Sequence, residues 1–121
     1  MASISYYYQQ IAKLEALKKR FIALQNDLNA LIPDLRKAST FLNDAVDGMR
    51  VSYTVNEVTA DNDSIKDNKE SVDDMISTIS GSVMPAISEK IRSIEAEISH
   101  YYELIRQAEA EECERERNGN N

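Results

Sequence analysis

The sequence predicts an all-α chain folded as an elongated antiparallel helical hairpin, and three observations carry that expectation. Only three Gly and two Pro interrupt 121 residues, and with two Phe and no Trp the large side chains that fill a compact globule are scarce. Two long apolar stripes run at helical spacing through the first and last thirds of the chain. Between them, Asp44 to Asp74 is a polar stretch where the chain can turn back on itself.

The first stripe starts at Ile4 and continues through Tyr7, Ile11, Leu14, Leu17, Phe21, Leu24, Leu28, Leu31, Leu35, Ala38, Leu42, Ala45 and Met49. Its steps alternate three and four residues, apart from an extra step of three from Leu14 to Leu17, a stammer in a heptad pattern. One helix over about residues 3–48 fits this stripe. Pro33 falls inside it, where the missing donor and the ring disturb the preceding turn. Because the stripe keeps its phase from Leu31 to Leu35, Pro33 predicts a kink and not a terminus. At the helical rise, some 45 residues would span about 65 Å.

Gly48 then predicts a bend, and residues 48–60 a turn region. Within it, Val51 to Val55 alternates apolar and polar residues as a strand would. No second strand candidate exists to pair with it, so it is a connection, a helix start, or an edge awaiting another molecule. The second helix is expected over about residues 61–116, with Asp61, Asn62, Asp63 and Ser64 supplying N-cap side chains and favourable charge. Its stripe runs through Ile65, Val72, Ile76, Ile79, Val83, Ile87, Ile91, Ile94, Ile98, Tyr101, Ile105 and Ala108. Two consecutive steps of four, Val83 to Ile87 to Ile91, place a phase change beside Gly81 and Pro85, where a second kink is expected. Residues 1–117 thus form one domain, and residues 118–121 a frayed tail.

If the stripes face each other, facing residues sum to about 108 by helix geometry. Tyr6, Tyr7 and Tyr8 then meet Tyr101 and Tyr102 at the open end, as an end plug or as a contact surface. The stripes are also wider than two helices require, since apolar neighbours recur at Phe21–Ile22, Leu31–Ile32, Phe41–Leu42, Met75–Ile76 and Leu104–Ile105. Further helices from another chain are needed to cover them. The expected partner-binding residues are Leu17, Phe21, Leu24, Leu28, Leu31 and Leu35 on the first helix. On the second they are Ile87, Ile91, Ile94, Ile98, Tyr101 and Ile105.

Charge narrows the choice of partner. The net charge is −7, and it is uneven: residues 1–50 hold seven Lys or Arg against five Asp or Glu, residues 51–121 seven against sixteen. That balance disfavours nucleic acid, which is held by neutralising phosphates. Lys18, Lys19 and Arg20 form the one basic run, read as a solvated helix face. No segment approaches the ~18 to 20 apolar residues of a membrane span, and Met1 to Gln10 lacks the pattern of a cleavable signal. The chain is expected in the cytoplasm as made.

Nothing in the sequence predicts an enzyme, a metal or a cofactor. A two-helix hairpin has no dry interior in which paired carboxylates could split their pKa values. The stretch from Asp61 fails as a calcium loop, with Lys66 where Gly is required and Val72 where a chelating Glu belongs. His100 is the only histidine and Cys113 the only cysteine, so neither a zinc site nor an internal disulfide can be assembled.

Two segments carry a family likeness: Ser5 to Lys18, SYYYQQIAKLEALK, and Glu89 to Ile98, EKIRSIEAEI. Together with the length and the polar middle, they resemble the small helical (Lap-type) proteins encoded beside LXG toxins in low-GC Gram-positive bacteria. Those are distant relatives of the WXG, or ESX, hairpins of type VII secretion. The resemblance implies a targeting partner that binds the helical N-terminal domain of an LXG toxin, sometimes with a second small helical protein. The assembly would be recognised by the type VII secretion ATPase and exported without a cleavable signal. Relatives carry Trp-x-Gly at the turn, where this chain has only Asp47, Gly48 and Met49. The family's export signal, an aromatic followed four residues later by an acid, is matched by Tyr53 and Glu57. The rival expectation from the stripes alone is a self-associating coiled-coil scaffold or adaptor without cargo.

Overall fold

The computed structural model describes residues 3–52 and 56–119, with side chains for residues 4–48 and 63–119. Every described residue is helical: α1 spans Ser3–Ser52, α2 Asn56–Thr78, a π-helical turn Ile79–Val83, and α3 Met84–Gly119. The chain divides into two compact units. Unit 1 holds Met1–Leu24 and Ile87–Asn121, and unit 2 holds Gln25–Ala86.

The N-terminal part of α1 packs on α3 in unit 1, with opposite chain directions. Tyr7 meets Tyr101 with ring centroids 5.8 Å apart, and eleven residues further along α1 Lys18 reaches Glu95 at 3.5 Å. The core runs along and beyond these contacts: Ile11, Ile94, Ile98 and Ile105 are buried, and Ile4, Tyr7, Leu14, Phe21 and Tyr101 pack on them. Side chains at three- and four-residue spacing fall on one face of each helix, which brings these isoleucines together.

Unit 2 is packed differently. Its contact between helices at Ser39 and Asp73 is polar: the Ser39 hydroxyl donates to Asp73 Oδ1 at 2.5 Å. Lys69 Nζ donates to the other carboxylate oxygen at 2.7 Å. Val46 and Ile79 are the buried apolar side chains described in this unit.

The inward phase of α1 differs from the one its leucines suggest. An unbroken inward row of buried and half-buried positions runs through Ile4, Tyr7, Ile11, Leu14, Lys18, Phe21, Gln25, Leu28, Ile32, Leu35, Ser39, Leu42 and Val46, with Gln10 and Ala45 half-buried beside it. Its steps alternate three and four throughout, so α1 has no stammer. The apparent one arises because Leu17, Leu24, Leu31 and Ala38 stand one place before Lys18, Gln25, Ile32 and Ser39. Hydropathy follows the leucines, whereas a continuous helix must keep its angular phase. Lys18 fits the inward row because its stem is apolar and its ammonium reaches out to Glu95.

The expected phase change near Gly81 and Pro85 is a π-helical turn. Inward positions on α2 and α3 alternate three and four from Ile65 to Ile79 and from Met84 to Ala108, with one step of five between Ile79 and Met84. The Met84 N–H donates to the Ile79 carbonyl, five residues back, and the extra residue is absorbed there. Val83, expected in the stripe, is 36% exposed, and Met84 takes the inward place. Pro85 has no N–H and its ring crowds the carbonyl four residues earlier, that of Gly81, so the loosened turn sits where that conflict falls.

Helix boundaries also differ from those expected. α1 continues through Gly48 to Ser52, and Gly48 has a negative φ. One helical glycine costs roughly 1 kcal/mol, too little to end a helix that is already propagating. Val51 and Ser52 belong to that helix, while Tyr53, Thr54 and Val55 lie outside the described residues. α2 begins at Asn56, so Asp61 to Ser64 lie within it and do not cap it. Pro33 lies inside α1, which continues past it.

Candidate partner-binding surface

The described structure sorts the twelve expected contact residues into three groups. Ile87, Ile94, Ile98 and Ile105 are buried within the chain itself, with Ile94 only 2% exposed. A partner could reach them only by opening unit 1. Phe21, Leu28, Leu35, Ile91 and Tyr101 are half-buried, and Phe21 and Tyr101 lean on the unit 1 core. Leu17, Leu24 and Leu31 remain, at 37%, 43% and 41% exposure, as the expected contact residues open to another molecule.

These three recur every seven residues on α1. Each follows an alanine, Ala16, Ala23 and Ala30, so the row is flanked by side chains that let another helix approach closely. In unit 1, Leu17, Arg20, Phe21 and Leu24 line a shallow, mostly apolar depression.

Sequence reasoning missed the most open apolar side chain. Phe41 is 72% exposed beside Leu42, and in unit 2 Met75 follows at 49%. Both had appeared only as halves of apolar doublets. The doublets were the available signal, because the outer member cannot enter a two-helix seam. Unit 2 carries two grooves with polar side chains among their lining. One is lined by Arg36, Ser39, Thr40, Asp73, Ile76 and Ser77, and another by Asn43, Val46, Asp47, Lys66, Lys69 and Glu70.

The tyrosine cluster is narrower than expected. Tyr7 packs on Tyr101, and Tyr6 stands edge-on to Tyr7 at 6.0 Å. Tyr6, Tyr8 and Tyr102 are each about half exposed. Of the export-signal candidates, Tyr53 lies outside the described residues, and Glu57 falls in α2 with its side chain outside them.

The ionic contacts at the surface are local. Arg106 pairs with Glu103 at 2.5 Å and Arg92 with Glu89 at 3.4 Å, one helical turn apart in each case. The hydrogen bond from Arg106 holds Glu103 below its ordinary carboxyl value. In unit 2, the hydrogen bonds from Lys69 and then Ser39 lower Asp73. Cys113 is exposed with a free thiol, and His100 lies 6.1 Å from the ring of Tyr101. Among the described residues no group of three His, Cys, Asp or Glu could hold a metal ion, and no helix is long and apolar enough to cross a membrane.

The chain was compared with family models, curated proteins and solved structures, and none of them matches.

Proposed function

We propose that the chain folds as an elongated antiparallel hairpin and acts as a targeting partner for a toxin of the LXG type. In this role it binds the toxin's helical N-terminal domain and helps direct it to a type VII secretion system; it is a binding protein and not an enzyme. The observation that carries a partner role is the set of large apolar side chains that the chain does not cover itself: Leu17, Leu24, Leu31, Phe41 and Met75. A helix laid along α1 would bury the leucine row, at roughly 1.5 to 3 kcal/mol for each side chain fully removed from water. The toxin's identity as the partner comes from the family resemblance of Ser5–Lys18 and Glu89–Ile98. A second small helical protein could complete the bundle. The chain would be made in the cytoplasm and leave with its cargo.

Co-expression with the helical N-terminal domain encoded beside it tests this reading. The two products are expected to co-purify, and Leu24→Asp to abolish the complex while leaving the helical signal of the free chain intact. Co-purification undiminished by Leu24→Asp removes the leucine row from the interface, and failure of the wild-type pair to associate removes the toxin reading. Recognition by the secretion ATPase is assigned to Tyr53 and Glu57. Their double alanine variant is expected to keep the complex and stop export, and undiminished toxin in the medium would discard both residues.

A second reading, a self-associating scaffold without cargo, is supported by the same uncovered side chains, which a second copy could bury.

A further inference from the structure

The π-helical turn sets two apolar side chains against one inward place. The inward row steps from Ile79 to Met84 to Ile87, five residues and then three. Val83 stands next to Met84 and is 36% exposed. A row through Val83 takes two steps of four and reaches Ile87 after the same eight residues. The first route stores the extra residue in one π-helical turn, and the second spreads it over two slightly unwound α-helical turns. In the first, the Met84 N–H donates to the Ile79 carbonyl. In the second it turns to the Ser80 carbonyl, and the Val83 N–H takes that of Ile79. Pro85 has no N–H to rearrange. The exchange therefore leaves the phase at both ends of the segment unchanged, and both side chains that move belong to unit 2.

We propose that Val83 and Met84 form a two-register switch and that oxidation of Met84 throws it. In the reduced chain the longer, more adaptable methionine fills the inward place and Val83 stands outside. Met84 is half-buried, which leaves it open to a small oxidant such as hydrogen peroxide. Its sulfur takes one oxygen atom and gives up two electrons, the peroxide is reduced to water, and no bond of the chain breaks. The product, methionine sulfoxide, is polar. A polar tip without a hydrogen-bond partner is unfavourable in the inward place, whereas Val83 is not. Oxidation thus moves the turn to the Val83 register and puts the sulfoxide in water, where methionine sulfoxide reductases reach it and reset the turn. Met75, 49% exposed on α2, already stands outside the row, so its oxidation displaces nothing. The switch is a property of the chain alone and does not rest on the toxin-partner reading.

Substitutions in the full chain test the exchange. In a Cys113→Ser background, the thiol of Val83→Cys should react with a maleimide about tenfold more slowly once Met84→Gln is added, because the cysteine then turns inward. Val83→Ser alone should leave the denaturation midpoint unchanged, and Met84→Gln alone should lower it slightly. Together they should lower it by clearly more than the two separate shifts, because neither side chain can then fill the place. A fixed π-helical turn gives unchanged labelling and additive shifts, and either result overturns the proposal. So does a Met84→Gln chain that fails to fold by circular dichroism, since Val83 has then not filled the place. Oxidation is read directly on the wild type, treated with hydrogen peroxide until mass spectrometry shows Met84 as the sulfoxide. Broadening of the Val83 methyl NMR signals by a soluble paramagnetic agent should fall on oxidation and return after treatment with methionine sulfoxide reductases. In the Met84→Leu chain, where the other methionines are oxidised, it should stay the same. Unchanged broadening with Met84 oxidised, or an equal fall in the Met84→Leu chain, overturns the proposal.

Discussion

The two compact units are both built from packed helices of the same chain, yet they hold themselves together by different means. Unit 1 has an aliphatic seam, in which Ile11, Ile94, Ile98 and Ile105 are buried and Tyr7 and Tyr101 pack on them. Unit 2 sets a serine, an aspartate and a lysine across its seam, and its most open side chains are Phe41 and Met75. The same heptad geometry therefore does two jobs. Where both inward positions are aliphatic, the pair is stabilised by burial. Where one is polar, the hydrogen bonds fix register at little net gain, because each replaces a bond to water. Apolar surface that the polar seam cannot use is left facing outward.

The sharpest way to separate the units is to change register within the π-helical turn and, separately, beyond it. Deleting Ser93 rotates Ile94, Ile98 and Ile105 by about 100° relative to the residues before them, which takes the isoleucines off the α1 face. Cooperative unfolding of unit 1 should be lost. Deleting Ser82 removes the extra residue from Ile79–Val83 and makes the step from Ile79 to the methionine four instead of five. That variant should keep a cooperative transition and its wild-type helical content. Thermal melts followed by circular dichroism compare the two. Equal damage from both deletions would mean that the π-helical turn is required in its own right and is not a place where an extra residue is stored.

Much of the fold was legible because helices announce themselves through period, and the reasons for the misses are local. The all-helical class and the irregularity beside Gly81 and Pro85 follow from the spacing of apolar residues and the placing of breakers. The inward phase of α1 did not follow, because Lys18, Gln25 and Ser39 occupy inward positions while leucine or alanine stands just outside. Hydropathy alone assigns such a pair to the wrong member. That error changed the candidate site most. Buried residues such as Ile94 and Ile98 entered the list of partner contacts beside the outward leucines. The helix ends were misread for another reason. Gly48 and the Asp61–Ser64 run are signals worth about 1 kcal/mol or less each, and a propagating helix overrides them.

A core truncation measures how far the difference between the units extends in energy. Ile94 is the most deeply buried side chain described. Ile94→Ala should cost about 2 to 5 kcal/mol, the range for removing a buried aliphatic chain and leaving a cavity. Ile79→Ala in unit 2 should fall at the low end of that range, since the side chain is 9% exposed and lies at the start of the π-helical turn. Denaturant titration of both variants gives the comparison. Hydrogen exchange should agree, with slower amides around Ile94 and Ile98 than around Ser39 and Asp73. If Ile79→Ala proves the more damaging, unit 2 is the better-packed partner and the ranking reverses.

The smallest expected effect belongs to the polar seam, and it is specific to acid. Asp73 is held below its ordinary value of 3.8 by the hydrogen bond from Lys69, then by that from Ser39, against a partial desolvation that raises it. A carboxyl lowered in the folded state contributes stability above its unfolded value and loses it as pH falls through the folded one. Lowering the pH from neutrality to just above 4 should therefore leave this contribution intact, and further acidification should remove it. Asp73→Asn keeps the shape but removes the charge that Lys69 meets, so its difference from wild type should be present at neutral pH and vanish in strong acid. Ser39→Ala should reduce the same pH dependence without abolishing it, because the first of the two hydrogen bonds remains. Parallel pH titrations of the wild type and Asp73→Asn, read as the denaturation midpoint, test this. A constant gap across the whole pH range would show that the carboxylate's charge does not matter and that only its shape holds the seam.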